Sequence, residues 1–216
     1  MSKSGTPFFL SGGTALSRFY FDARYSDDLD LFLINNSKYS IHVNTLLSHW
    51  IESENEMSCS IDKTSIKRGQ DYTQVYFVHK DDPSTELRVD LINDIAPHYG
   101  QFEYDPVLGK VDSWRNILSN KLTTLFRSEP KDVVDLYTIA NNMEFNWKVI
   151  VADAKSKEIG IEPEIIHDIL KSFPVDLVNT IKWTKKPDQD LFAKLIAQMA
   201  EDILFGRDNS LVKRDA

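Results

Sequence analysis

Two aspartates alternate with leucines in Asp28-Leu29-Asp30-Leu31, followed by Phe32 and Leu33. A strand sends successive side chains to opposite faces, so Asp28 and Asp30 share one face and the leucines share the other. Two carboxylates held over a buried apolar face are hard oxygen donors for a divalent cation such as Mg2+ or Mn2+. Upstream, Leu10-Ser11-Gly12-Gly13-Thr14-Ala15-Leu16 breaks an apolar strand from a helix. Gly12 and Gly13 would let backbone amides approach a phosphate closely, and the N-terminus of the following helix would favour its charge. Thr14 and Ser11 offer hydroxyls either to a phosphate oxygen or to a helix cap. Alternating acids and leucines also line ordinary half-exposed strands, so the glycines and a further acid are needed to favour the metal reading.

That further acid is found in Glu86-Leu87-Arg88-Val89-Asp90-Leu91-Ile92. Alternation places Asp90 on the polar face of a strand whose other face is apolar. Chemistry with two metal ions needs more ligands than one strand supplies, and Asp90 is the expected third. Asp94, in Asn93-Asp94, reads as a turn or cap acid, and Asp27 should face away from Asp28 and Asp30.

Two charges in the second half of the chain are out of place. Trp114, Ile117, Leu118, Leu122 and Leu125 form a helical stripe, and Lys121 falls within it. A lysine there either snorkels to an edge or points its ammonium at a ligand, such as a phosphate. On the next helix Asp132 projects at the edge of the face set by Val133, Leu136 and Ala140, with Asp135 just outside. Both acids also suit the first turn of a helix by its dipole.

These residues need a sheet and a set of helices to hold them. Short strands are expected at 7–10, 29–34, 57–66, 72–79 and 86–92, with helices at 14–21 and 39–54. The turn cluster Asp81-Asp82-Pro83-Ser84 predicts that the last two strands form a hairpin. Beyond Pro97 a loop with Gly100, Pro106 and Gly109 leads to helices at about 112–127, 131–142, 147–158, 162–172, 175–183 and 188–205. Prolines near their starts mark the breaks, and the polar tail from Gly206 is expected to fray. The fold class is therefore α+β: a mixed sheet with flanking helices over 1–98, then an all-helical domain over 99–216 that carries Lys121.

Composition narrows the setting. The 216 residues are 42% hydrophobic, 27% charged and carry a net charge of −8. That acidity argues against indiscriminate nucleic-acid binding. Lys110, Arg115, Lys121, Arg127 and Lys131 nonetheless face only Asp112 and Glu129 within their segment, a local excess of three. No apolar run could cross a bilayer and no secretory signal is evident. Cys59 is the sole cysteine. A cytoplasmic protein that does not contact the membrane is expected.

The string Gly12-Gly13-Thr14-Ala15-Leu16, then Arg24-x-Ser26-x-Asp28-x-Asp30, resembles the first motif of the minimal nucleotidyltransferases of the DNA polymerase beta-like superfamily. It is more specifically similar to the AbiEii/AbiGii toxin family. The run Asn120-Lys121-Leu122-Thr123-Thr124, then Lys131-Asp132-Val133-Val134-Asp135-Leu136-Tyr137, is similar to that family's distal motif. The resemblance implies transfer of a nucleoside monophosphate from an NTP to an acceptor hydroxyl, with Asp28, Asp30 and Asp90 holding Mg2+ or Mn2+. It implies Gly12, Gly13, Thr14, Arg24, Ser26 and Lys121 as nucleotide-binding residues, although Arg24 would equally anchor its loop through a carboxylate, and Asp132 as a further catalytic acid that orients Lys121 or serves as a base. An RNA or tRNA acceptor, a cognate antitoxin and a role in phage defence are the implied partners and setting. Two other functions suit the same residues: a non-catalytic nucleotide sensor, and an antibiotic-type enzyme acting on a small molecule.

Overall fold

The computed structural model describes residues 4–212. The chain forms two compact units. One comprises the residues up to Ala15, Ser26–Ala96 and Gln101–Asp112; the other comprises Leu16–Tyr25, Pro97–Gly100 and the chain from Ser113 onward.

The first unit is built on a seven-stranded mixed sheet in the order β3-β4-β5-β2-β1-β7-β6. Its strands are β1 (Phe9–Ser11), β2 (Asp28–Ile34), β3 (Cys59–Arg68), β4 (Tyr72–His79), β5 (Glu86–Asp94), β6 (Glu103–Asp105) and β7 (Gly109–Val111). β4 and β5 pair antiparallel, as the turn cluster predicts, and β5 then runs parallel to β2. This register sets Asp30 directly beside Asp90 and Asp28 beside Arg88. On the opposite face Leu31, Leu33, Val75, Val89 and Leu91 are buried. A helix, α2 (Tyr39–Glu52), covers that face: the Tyr39 hydroxyl donates to Leu91 O at 2.8 Å, and Trp50 packs edge-on against Phe77. Each fully buried Leu or Val contributes about 1.5–3 kcal/mol. A one-residue slip of β2 would exchange those leucines for the aspartates, so core burial fixes where the carboxylates point.

Two features of the chain before Asp112 depart from the pattern expected of the sequence. The segment after Pro97 is not only loop, because β6 and β7 form a hairpin and β7 adds to β1 in parallel. Each is three residues long, and Glu103 and Tyr104 are exposed, so no alternation of burial marks them. The helix expected at 14–21 is instead a four-residue turn, α1 (Gly12–Ala15), continuing as a π-helical turn over Leu16–Tyr20. So short a turn carries little dipole, and any anion bound there would rely on backbone amides.

The second unit holds α3 (Trp114–Thr124), α4 (Pro130–Asn142), α5 (Trp147–Lys157), α6 (Pro163–Lys171) and α7 (Gln189–Leu204) around a core that includes the fully buried Trp147 and Phe192. The Ser113 hydroxyl caps α3 by accepting from Asn116 N, and Pro130 and Pro163 open α4 and α6. The helix expected over 175–183 is a 3-10 turn over Val175–Thr180. The chain from there runs beside residues 23–25: Thr184 N donates to Ala23 O, and Tyr25 N to Lys182 O. The tail does not fray through its described part. Asn209 is buried, and its Nδ2 donates to Ala140 O at 2.7 Å and Met143 O at 2.8 Å, satisfying carbonyls at the end of α4. Residues 213–216 lie outside the described residues. Among the described residues no helix is long and apolar enough to cross a membrane.

Candidate active site

The carboxylate face lies on β2 and β5 of the first unit. Asp28 and Asp30 alternate along β2, and Asp90 is the β5 neighbour of Asp30. The turn that follows β1 is fitted against these acids. Gly12 has φ +67°, and a Cβ placed on it would lie 2.1 Å from Asp30 Oδ2. Only glycine meets both demands, the left-handed backbone and the close carboxylate. Gly13 and Thr14 are buried, and the Thr14 hydroxyl donates to the Asp28 carbonyl. Ser11 is also buried, donating from its hydroxyl to Asp112 Oδ2 at 2.6 Å. Ser26 is half-buried just ahead of β2, and Asp27 is exposed. Asp94 accepts from Ala96 N at 3.0 Å, the turn contact its sequence context predicts.

The two oxygens of Asp90 have different surroundings. Oδ1 accepts from the Tyr72 hydroxyl at 2.9 Å and from Gln74 Nε2 at 3.2 Å, both on β4. Burial and this hydrogen bond push the Tyr72 pKa up to about 12. Oδ2 faces Arg88, whose Nε lies 3.4 Å away. The other end of the same guanidinium donates to Asp28 Oδ2 at 2.7 Å. Burial works against the Arg88 charge, but Asp90 and Asp28 outweigh it and hold its pKa above the ordinary arginine value. Arg88, Tyr72 and Gln74 are neighbours of Asp90 that the spacing of acids alone does not flag. The same alternation that aligns Asp28 with Asp30 aligns Arg88 with Asp90, so a signal for Arg88 is present in β5.

The donor set suits a hard divalent cation: three carboxylates, two of them direct cross-strand neighbours, with no thiolate or imidazole among them. The face already holds one cation, the Arg88 guanidinium, between Asp28 and Asp90. No group of three or more acidic, histidine or cysteine residues among the described residues is disposed to enclose an ion. The residues fit a metal in chemistry, with Arg88 standing between two of them.

In the second unit Lys121 does not snorkel. Its ammonium is buried, 2.8 Å from Asp132 Oδ1 and 2.7 Å from Asp135 Oδ2. Asp135 in turn receives a two-pronged contact from Arg24, Nε to Oδ1 at 2.7 Å and Nη2 to Oδ2 at 2.8 Å. Asp132 receives a similar fork from Arg127, at 2.6 and 2.9 Å. These five groups form one network of three cations and two acids. Burial opposes the charge on Lys121, but Asp135 and Asp132 outweigh it and raise its pKa. Burial likewise opposes the Asp132 carboxylate, while Lys121 and Arg127 hold its pKa below the usual range. Asp135 is as fully engaged as Asp132. The two are three apart on α4 and so share a face, which is the sequence signal for Asp135.

The locally positive segment is less free than its charge count implies. Arg115 pairs with Asp153, and Lys121 and Arg127 pair with Asp132, acids that lie beyond the counted stretch. Lys110 stacks over the Phe102 ring at 3.6 Å.

Residues 1–210 match the model of a family described as nucleotidyl transferase AbiEii toxin, type IV toxin–antitoxin system. Among solved structures, the chain is similar to JHP933 from Helicobacter pylori at TM-score 0.61 and 20% identity, covering 94% of this chain and 85% of that one. It is also similar to MenT4, a nucleotidyltransferase toxin from Mycobacterium tuberculosis H37Rv, at TM-score 0.58 and 13% identity, covering 91% of this chain and 75% of that one. At these identities the likeness is one of fold, the same mixed α+β architecture. Comparison with curated proteins returns no match.

Proposed function

The chain belongs to the AbiEii nucleotidyl transferase toxin family of type IV toxin–antitoxin systems, and from that premise we propose that it moves a nucleoside monophosphate from an NTP to an acceptor hydroxyl, using Asp28, Asp30 and Asp90. The observation that carries this reading is the β2–β5 register, which sets Asp30 beside Asp90 on the polar face, with the glycine turn against Asp30. The acceptor oxygen forms a bond to the α-phosphorus as the bond to pyrophosphate breaks, and pyrophosphate leaves. The hydroxyl proton is released in that step, with Asp90 assisting. Mg2+ or Mn2+, held by Asp28, Asp30 and Asp90, would supply activation of the hydroxyl and charge neutralisation at the phosphate.

The remaining assignments follow the same reading. Backbone amides at Gly12, Gly13 and Thr14 approach the triphosphate, and Ser26 and Arg24 assist from the strand entry. Lys121 supplies positive charge to phosphate oxygens, and Asp132, with Asp135, fixes the direction of its ammonium. The acceptor is an RNA end, tRNA in particular, and the partner a cognate antitoxin. The test is incubation with labelled nucleotides, Mg2+ and total tRNA. Wild type should label RNA with at least one nucleotide, while Asp28→Ala and Asp30→Ala should not. If wild type yields no more labelled RNA than these variants with any of the four nucleotides, the RNA acceptor is wrong. Label in a small molecule of a cell extract would favour the antibiotic-type reading instead.

A further inference from the structure

We propose that Arg88 is a resident counter-cation of the carboxylate face: its guanidinium occupies the position between Asp28 and Asp90 and withdraws when a divalent cation binds, so that Arg88 sets the metal affinity. The inference rests on the reading of Asp28, Asp30 and Asp90 as metal ligands.

Three observations support a placeholder over a permanent structural pair. First, Tyr72 and Gln74 take up Asp90 Oδ1, so the oxygen left for a metal is Oδ2, the one Arg88 faces. Second, the Arg88 contact is poorly made by the standards of this same chain. Arg24, Arg115 and Arg127 each grip a single aspartate with two hydrogen bonds of 2.6–3.0 Å. Arg88 instead divides itself between two aspartates. It makes one hydrogen bond, to Asp28, and its buried Nε has no hydrogen-bond partner. A guanidinium so placed neutralises charge without the bidentate geometry that makes an arginine pair strong. Third, its side chain is 34% exposed, so it can swing toward solvent without unpacking a core. Removing it leaves Asp28 and Asp90 with a repulsion that a divalent ion relieves.

The test is Mn2+ titration of the full chain without nucleotide, read by calorimetry and by the electron paramagnetic resonance signal of free Mn2+. Arg88→Gln and Arg88→Met should each bind Mn2+ about two- to fivefold more tightly than wild type, the scale expected for loss of one partly exposed competing ion pair. Mn2+ should also raise their thermal midpoints more than it raises that of wild type. Arg88→Lys, which keeps the charge without the fork, should fall between and provides the comparison if the uncharged variants do not fold. Asp30→Asn serves as the control for the underlying reading and should lose Mn2+ binding. If the Arg88 variants bind no more tightly than wild type while Asp30→Asn weakens binding, the counter-cation role is wrong and the metal reading stands. If none of the proteins binds Mn2+, or Asp30→Asn binds as wild type does, both fail.

Discussion

Gly12→Ala separates backbone strain from disturbance of a carboxylate. The residue has φ +67°, a conformation that costs an alanine about 1–2 kcal/mol. At about 2–4 °C per kcal/mol for a chain of this size, the thermal midpoint should fall by roughly 2–8 °C. A second effect is specific to this position. The new Cβ would lie 2.1 Å from Asp30 Oδ2, and ordinary contact begins near 3.4 Å, so the carboxylate or the turn must move by about 1.3 Å. A displacement of about 1 Å in a reacting group can cost about a hundredfold in rate. Gly109→Ala is the matched control. Gly109 also has positive φ, +76°, and a Cβ there meets nothing within 4 Å. Both variants should lose similar stability by thermal unfolding. Only Gly12→Ala should lose nucleotidyl transfer, by about a hundredfold, in an assay run well below its midpoint. Equal transfer by Gly12→Ala and Gly109→Ala would refute the placement of Asp30 in the reaction.

Three further outcomes follow from the second unit. Lys121→Met leaves Asp132 and Asp135 without their shared cation and should lower stability by about 3–5 kcal/mol, whereas Arg127→Ala, removing a half-exposed partner, should cost about 1 kcal/mol; chemical denaturation curves would show whether the order is reversed. The depressed Asp132 pKa contributes stability that is present above the unfolded value of 3.8 and is lost as pH falls through the folded value. Urea midpoints followed through acid should therefore drop more steeply in wild type than in Asp132→Asn, and parallel curves would contradict the pairing. Asn209→Ala should cost about 1–2 kcal/mol by removing two hydrogen bonds to the end of α4, and an unchanged thermal midpoint would return the tail to a frayed segment.

The elements legible in the sequence are those whose burial has a period. β2, β4 and β5 alternate, and that alternation by itself places Asp28 and Asp30 on one face. β6 and β7 are too short and exposed to alternate, so the extension of the sheet past β1 has no local signal. The parallel register of β2 and β5 is non-local, and no single strand encodes that Asp30 sits beside Asp90. Alternation in β5 puts Arg88 on the face of Asp90, but its contact with Asp28 depends on the neighbouring strand and has no local signal. On α4, an acid near the helix start has an ordinary explanation in the helix dipole, which applies to Asp132 in the first turn and draws attention away from Asp135, which anchors both Lys121 and Arg24. The tail is polar in composition, yet Asn209 is buried, where its side-chain amide donates to carbonyls at the end of α4.

The most direct test of nucleotidyl transfer is the fate of the phosphates. Wild type is supplied in parallel with NTP labelled at the α- or the γ-phosphorus, with Mg2+ and an RNA pool. Transfer of a nucleoside monophosphate should place α-label in the acceptor and γ-label in pyrophosphate, with both signals lost in Asp30→Asn. Label from the γ-position in the acceptor, or α-label that persists in Asp30→Asn, would contradict the assignment of this carboxylate face.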